Sequence, residues 1–153
     1  MNRLELKVPP PVIGLVVAAL MWLAARHAQA LAFDFPGREA VALLFALAGA
    51  FADLAGLVSF RRARTTVNPL RPGSTSTLVT SGIYRFTRNP MYLGMLLLLV
   101  AWSAWLGNAL ALLLAALFVL YIGRFQIAPE ERMLSRLFGP DFDAYRGQVR
   151  RWL

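Results

Sequence analysis

Four long apolar runs constrain what this chain can fold into. They cover residues 11–31, 40–60, 91–106 and 109–127. A straight helix needs roughly 20 apolar residues to cross the hydrocarbon core of a bilayer. Lipid offers the backbone no hydrogen-bond partner, so each spanning run must satisfy its own N–H and C=O groups as a helix. Only 16% of the residues are charged, against roughly 25% in soluble domains. The expected fold is therefore all-α: an integral membrane protein with about four transmembrane helices. The third run is the shortest, and its hairpin with the fourth is at the limit of a full crossing. Only Leu106, Gly107 and Asn108 separate these two runs, which makes them antiparallel neighbours. No Gly-x-Gly occurs, so neither a Rossmann fingerprint nor a P-loop is present.

The first run has some features of a secretory leader. Arg3 and Lys7 precede it, and Ala28-Gln29-Ala30 resembles a small-residue cleavage site. Arg26 and His27 interrupt the approach to that site, so the run is read as an uncleaved anchor.

The net charge of +8 would suit nucleic acid, but its placement points to the membrane. Arg61, Arg62, Arg64, Arg71, Arg85 and Arg88 lie in one acid-free stretch, 61–90, between the second and third runs. A second group, Arg124, Arg132, Arg136, Arg146, Arg150 and Arg151, surrounds the C-terminus. Arginines beside spans set topology and meet anionic headgroups. The 26–39 loop has only Arg26 and Arg38, offset by Asp34 and Glu39. The 61–90 loop and both termini are thus expected on the cytoplasmic side of the inner membrane, with Trp102 and Trp105 as interfacial aromatics on the opposite side. No helix-turn-helix, zinc-finger or RNP pattern is present, and no nucleic-acid partner is expected. There is no cysteine and one histidine, His27, so no metal site is expected.

Two segments are too polar to span. Residues 61–90 are rich in turn formers, and a loop of that length is commonly a lid or a binding loop. Residues 129–153 read as short amphipathic helices on the cytoplasmic side. Pro129 suits a first helical position, Glu130 and Glu131 suit a first turn, and Gly139-Pro140 divides the segment.

Several polar residues are candidates for chemistry. Asn89-Pro90 is both an N-cap with its first helical residue and, with Arg88, a place where free backbone N–H groups meet an anion. Glu130 and Glu131 are either solvated first-turn acids or a carboxylate that accepts hydrogen bonds from a ligand; composition does not separate them. Asp53 lies within the second run, where an ionisable residue is a functional candidate or the partner of a nearby arginine.

Three ordered segments carry a resemblance. They are Thr77-Leu78-Val79-Thr80-Ser81-Gly82-Ile83-Tyr84, then Arg88-Asn89-Pro90-Met91-Tyr92-Leu93-Gly94, then Glu130-Glu131 followed by Leu134, Phe138-Gly139, Tyr145 and Val149. In order and spacing, residues 75–150 resemble the isoprenylcysteine carboxyl methyltransferases, relatives of the phospholipid N-methyltransferases. The resemblance implies S-adenosylmethionine as cofactor. Carried over by position, its contacts are Ser76, Thr77, Leu78, Val79, Tyr84, Asn89, Pro90, Met91, Tyr92 and Glu130. It also implies a lipophilic acceptor that enters from the bilayer, methylated on a carboxylate, an amine or a thiol, with residues 1–153 serving as one methyltransferase domain. No catalytic residue is assigned.

This chain departs from the family pattern at two positions. Asn89 stands where histidine is common. Gln126 stands where the prenylcysteine enzymes carry a substrate-binding arginine. Arg124, two residues earlier, is rotated about 200° on an α-helix. Gln126 and Arg124 are therefore both candidate acceptor contacts, neither equivalent to the family residue. Two rival readings are a nicotinamide-dependent membrane reductase, with Arg85 and Arg88 meeting cofactor phosphates, and a non-enzymatic membrane scaffold or lipid-binding protein.

Overall fold

In a computed structural model that describes residues 5–63 and 77–153, the apolar runs are helices. They are α1 (Pro10–His27), α2 (Arg38–Arg62), α3 (Pro90–Leu106) and α4 (Ala109–Ile122), followed by α5 (Ala128–Phe138) and α6 (Pro140–Gln148). Among the described residues there is no strand, only one isolated bridge between Ala32 and Asn108. Leu15, Leu44, Leu47, Phe51 and Leu120 point outward, an arrangement that requires lipid as the solvent. The protein is an integral membrane protein of the helical class. Among the described residues three helices are long and apolar enough to cross a membrane, and α3 is shorter, with 17 residues. At 1.5 Å per residue α3 rises about 25 Å, slightly less than the hydrocarbon core.

The ends of the elements follow local chemistry. The first apolar run extends to 31, but α1 stops at His27. The Ala28 carbonyl accepts from Asn108 Nδ2 at 2.9 Å, and a short 3₁₀ turn takes over at Gln29–Leu31. Asn108 also N-caps α4, with its Oδ1 accepting from the Leu110 and Ala111 N–H groups. Gly107 adopts the left-handed conformation (φ 59°) that ends α3. A Cβ at Gly107 would overlap the Arg38 guanidinium. Gly107-Asn108 therefore makes the tight α3–α4 hairpin expected from the three-residue spacing. The expected 61–90 loop is shorter at its start, because α2 continues through Arg62.

The fourth run does not end at 127. From Ala109 to Phe138 the chain is one continuous 30-residue helix, with a π turn at Gly123–Ile127 in which Ala128 N–H donates to the Gly123 carbonyl. Pro129 accounts for that turn. It has no N–H, and its ring displaces the carbonyl four residues back. That carbonyl, on Phe125, accepts instead from Leu6 N–H at 3.1 Å. The start of a second helix expected at Pro129 is therefore a register shift within one helix. Gly139, at φ 52° and ψ −125°, makes the real break before α6.

Helices α1, α3 and α4 enclose a core of Met21, Leu99, Ala111, Ala115, Phe118 and Ile122. Trp102 joins it and donates to the Ala18 carbonyl at 3.1 Å, midway along α1. Trp102 is thus a helix-packing residue, whereas Trp105 is exposed as a belt aromatic would be. Helix α2 packs on the other side of α3 through small residues: a Cβ at Gly49 would lie 2.8 Å from the Gly94 carbonyl, and one at Gly94 would overlap Asp53 Oδ1. Small residues permit this close approach of spanning helices. Asp53 Oδ1 is buried there without a hydrogen-bond partner and makes no arginine pair among the described residues.

Candidate active site

A cavity of about 620 Å³ opens at the end of the bundle where α2 stops and α1 and α3 start. Its wall combines Phe60 of α2, Thr77, Leu78, Val79 and Tyr84 of the connection to α3, and Asn89, Met91, Tyr92 and Met95 around the start of α3. The π turn contributes Gln126, α5 contributes Glu130, Glu131, Leu134 and Phe138, and α6 contributes Phe142 and Tyr145. Most of these side chains are apolar, with few polar groups among them, as in typical small-molecule sites.

The two adjacent acids have different surroundings. Glu131 is held by Arg88 Nη2 at 2.9 Å and by the Arg151 guanidinium, which Glu131 in turn keeps above its ordinary pKa. Glu130 accepts from the Tyr92 hydroxyl at 2.6 Å and makes no ion pair among the described residues. Glu131 is thus a structural anion, and Glu130 presents a carboxylate to the cavity.

Asn89 occupies the N-cap position of α3, but its side chain does not cap the helix. Its Nδ2 donates to the Arg151 carbonyl at 2.9 Å. Thr87 links both segments: its hydroxyl accepts from Asn89 N–H at 3.2 Å and donates to the Arg151 carbonyl at 3.3 Å. Arg88 N–H donates to the Arg150 carbonyl at 3.0 Å. The C-terminal residues therefore hold the start of α3 in place. The first-turn N–H groups of Met91 and Tyr92 have no helical partner of their own, and both residues line the cavity. Arg88 does not stand free beside them, since it donates to Glu131 and to the Arg146 carbonyl at 2.9 Å.

Two tyrosines close the floor. Tyr145 hydroxyl donates to the Tyr84 carbonyl at 2.7 Å. Burial outweighs nearby Arg88 and pushes Tyr145 up to about 12, and burial raises Tyr84 well beyond its ordinary value. Both hydroxyls remain neutral at physiological pH.

Of the residues singled out in the sequence, the cavity gathers Thr77, Leu78, Val79, Tyr84, Asn89, Met91, Tyr92, Gln126 and Glu130. Pro90 is not on the wall; it is the first residue of α3 and is buried facing Gly56 of α2. Ser76 lies outside the described residues. Arg124 is also off the wall, exposed and paired with Glu5 at 3.4 Å. Gln126 is 2% exposed, and its Nε2 donates to the Val8 carbonyl at 2.8 Å. Among the described residues there is no cluster of metal-ligating groups.

The sequence reading missed one whole side of the cavity, residues 6–11. Glu5 is buried and paired with Arg124 and with Arg132 at 2.8 Å. Burial tends to raise its pKa, but the two guanidiniums prevail and hold it below the ordinary glutamate value. Leu6 N–H satisfies the Phe125 carbonyl, and the Val8 carbonyl is satisfied by Gln126. Pro9, in an extended conformation, then leads into α1, with Pro10 and Pro11 in the first turn. These prolines remove donors that would otherwise be orphaned beside an apolar space. The signal was present in the sequence as Pro9-Pro10-Pro11 after a lone acid.

A helical membrane bundle with a cavity of this kind at one end defines the class. The chain belongs to the phospholipid methyltransferase family, whose model matches residues 38–141. It is 52% identical over 63 residues to an uncharacterised protein of Haemophilus influenzae, covering 41% of this chain and all of that protein. It is 27% identical over 117 residues, 76% of this chain, to the protein-S-isoprenylcysteine O-methyltransferase of Schizosaccharomyces pombe. The match covers 50% of the length of that yeast enzyme. No solved structure matches.

Proposed function

We propose that this protein is an S-adenosylmethionine-dependent methyltransferase whose acceptor is lipophilic and reaches the cavity from the bilayer. The whole of 1–153 serves as one methyltransferase domain. The observation that carries the reading is the shared wall: 77–79, Tyr84, Asn89, Met91, Tyr92 and Glu130, far apart in sequence, surround one space, with Tyr92 bonded to Glu130. The residues suit this cofactor. The volume fits a nucleoside-sized molecule. Leu78, Val79 and Met91 offer an apolar bed for a base, and backbone groups of 77–79 offer polar contacts. A carboxylate at 130 accepts from hydroxyl or ammonium groups and attracts a cation.

When bound, S-adenosylmethionine supplies an electrophilic methyl group on a sulfonium. The protein's part is to bind, align and exclude water. Tyr92 fixes the Glu130 carboxylate in one orientation. The neutral Tyr84–Tyr145 pair and Phe138 and Phe142 keep that side of the cavity dry. Asn89 keeps its hydrogen-bonding amide but does not titrate, so no general-base role is assigned to it. The methylated atom is left open among carboxylate, amine and thiol.

The cavity is at the end of the bundle with Arg61 and Arg62 at the C-terminus of α2, and arginine excess marks the cytoplasmic side. In this reading the active site faces the cytoplasm, in the inner membrane. A nicotinamide reductase is less favoured: Arg85 is exposed and off the cavity wall, and Arg88 is neutralised by Glu131. Calorimetric titration of the purified protein with S-adenosylmethionine and, separately, with NADPH tests the reading. Saturable binding of the first alone is expected; binding of the second alone would replace this reading with the reductase.

A further inference from the structure

The cations around the cavity are nearly all matched by acids. Glu131 pairs with Arg88 and Arg151, and Glu5 pairs with Arg124 and Arg132. Lys7 is the exception. It lines the cavity, it is exposed at the rim, and it makes no ion pair among the described residues. Residues 1–4 and 64–76 contain no Asp or Glu, so no side chain there supplies a partner. Glu5, two residues away, is fully engaged by its two arginines.

The position of Lys7 is also fixed. Glu5 on one side is pinned by Arg124 and Arg132, Leu6 N–H is bonded to Phe125, and the Val8 carbonyl is bonded to Gln126. A segment tied before and after one residue holds that residue's Cα against the cavity mouth, while the ammonium keeps its own freedom. A cation held at the edge of an apolar space, with no counter-ion, favours an anion there. Gln126 cannot supply that charge, since it is neutral and its amide is engaged with the strap.

We infer that Lys7 is a specificity-determining residue that recognises an anionic group, phosphate or carboxylate, on the amphiphile entering this cavity. This deepens the methyltransferase reading and rests on it, because in that reading the amphiphile is the acceptor. The polar end of the acceptor would then sit at the 5–8 strap, with its apolar part against α3 and α5.

The test uses the full chain in phosphatidylcholine nanodiscs. Dodecyl phosphate, laurate and dodecanol are titrated calorimetrically, and S-adenosylmethionine is titrated in parallel. The two anionic probes should bind saturably and dodecanol more weakly; the tighter of the two identifies the anion. Lys7→Gln should weaken the anionic probes about three- to tenfold, while Lys7→Arg and Arg136→Gln retain binding. Leu134→Trp, which fills the cavity, should abolish it. Equal binding by Lys7→Gln, an equal loss in Arg136→Gln, persistence in Leu134→Trp, or no binding to the parent would each overturn the inference. Loss of S-adenosylmethionine binding in the parent overturns the methyltransferase reading separately, whatever the amphiphiles do.

Discussion

The Tyr92 hydroxyl donates to Glu130 Oε1 at 2.6 Å, joining the first turn of α3 to the first turn of α5 across 38 residues of sequence. Its neighbour Glu131 instead faces Arg88 and Arg151. Replacement of the two acids should therefore have different effects. Glu130→Gln should weaken S-adenosylmethionine binding about ten- to a hundredfold, the value of a charge-assisted hydrogen bond, with little change in melting temperature. Glu131→Gln should leave two guanidiniums short of an anion and cost about 1.5–3 kcal/mol of stability, with a smaller direct effect on affinity. Calorimetry and thermal melts in detergent separate the two. A larger affinity loss in Glu131→Gln would reverse the assignment.

Tyr92→Phe removes the donor while keeping the ring. Affinity for S-adenosylmethionine should fall by roughly two- to tenfold, the range of one neutral hydrogen bond. An unchanged affinity would mean that the orientation of Glu130 does not depend on Tyr92.

The α2–α3 contact depends on the missing side chain at Gly94. Gly94→Ala places a methyl group against Asp53 Oδ1 and the Gly49 carbonyl, and overpacking of this kind costs about 1–3 kcal/mol. Asp53→Ala should return part of that loss when combined with Gly94→Ala, because one of the two clashes is removed. Thermal unfolding of the two single variants and the double variant measures the coupling. Strict additivity would exclude a direct contact.

The strap at 5–8 should release in acid. Glu5 has its pKa held below the ordinary 4.5 by Arg132 and Arg124, against burial. A depressed acid stabilises the fold above the unfolded value and loses that contribution as pH falls through the folded value. Hydrogen exchange at the Leu6 amide, which is bonded to the Phe125 carbonyl, should be slow at neutral pH and accelerate relative to the intrinsic rate as pH falls below the ordinary glutamate range. Glu5→Gln should show the faster exchange already at neutral pH. Equal protection in both proteins would separate the strap from the ion pairs.

Hydropathy made the spanning helices legible, and Gly107-Asn108 made the α3–α4 hairpin legible, because both signals are local. The continuity of α4 into α5 was not legible. Pro129 reads equally as a first helical residue or as the cause of a π turn, and the Leu6 N–H that satisfies Phe125 lies more than a hundred residues away. The cavity wall at 77–92 and Glu130 was legible through the ordered motifs, but the difference between Glu130 and Glu131 depends on Arg88 and Arg151, which only the tertiary fold brings to one of them. Arg124 was separated from Gln126 by helical rotation in the sequence; the fold adds that Glu5 draws it to the outer surface. Pro9-Pro10-Pro11 after Glu5 marks a donor-poor entry to α1, but the return of residues 6–11 to the site depends on bonds to Phe125 and Gln126, which are not local.

The most direct measurement of the central claim is transfer of label from methyl-labelled S-adenosylmethionine, with the purified protein in a native lipid extract and Glu130→Gln run beside the parent. The expected result is a lipid-soluble labelled product from the parent and a strongly reduced yield from Glu130→Gln at subsaturating donor. Absence of labelled lipid together with absence of donor binding in the parent would contradict the methyltransferase assignment of this cavity.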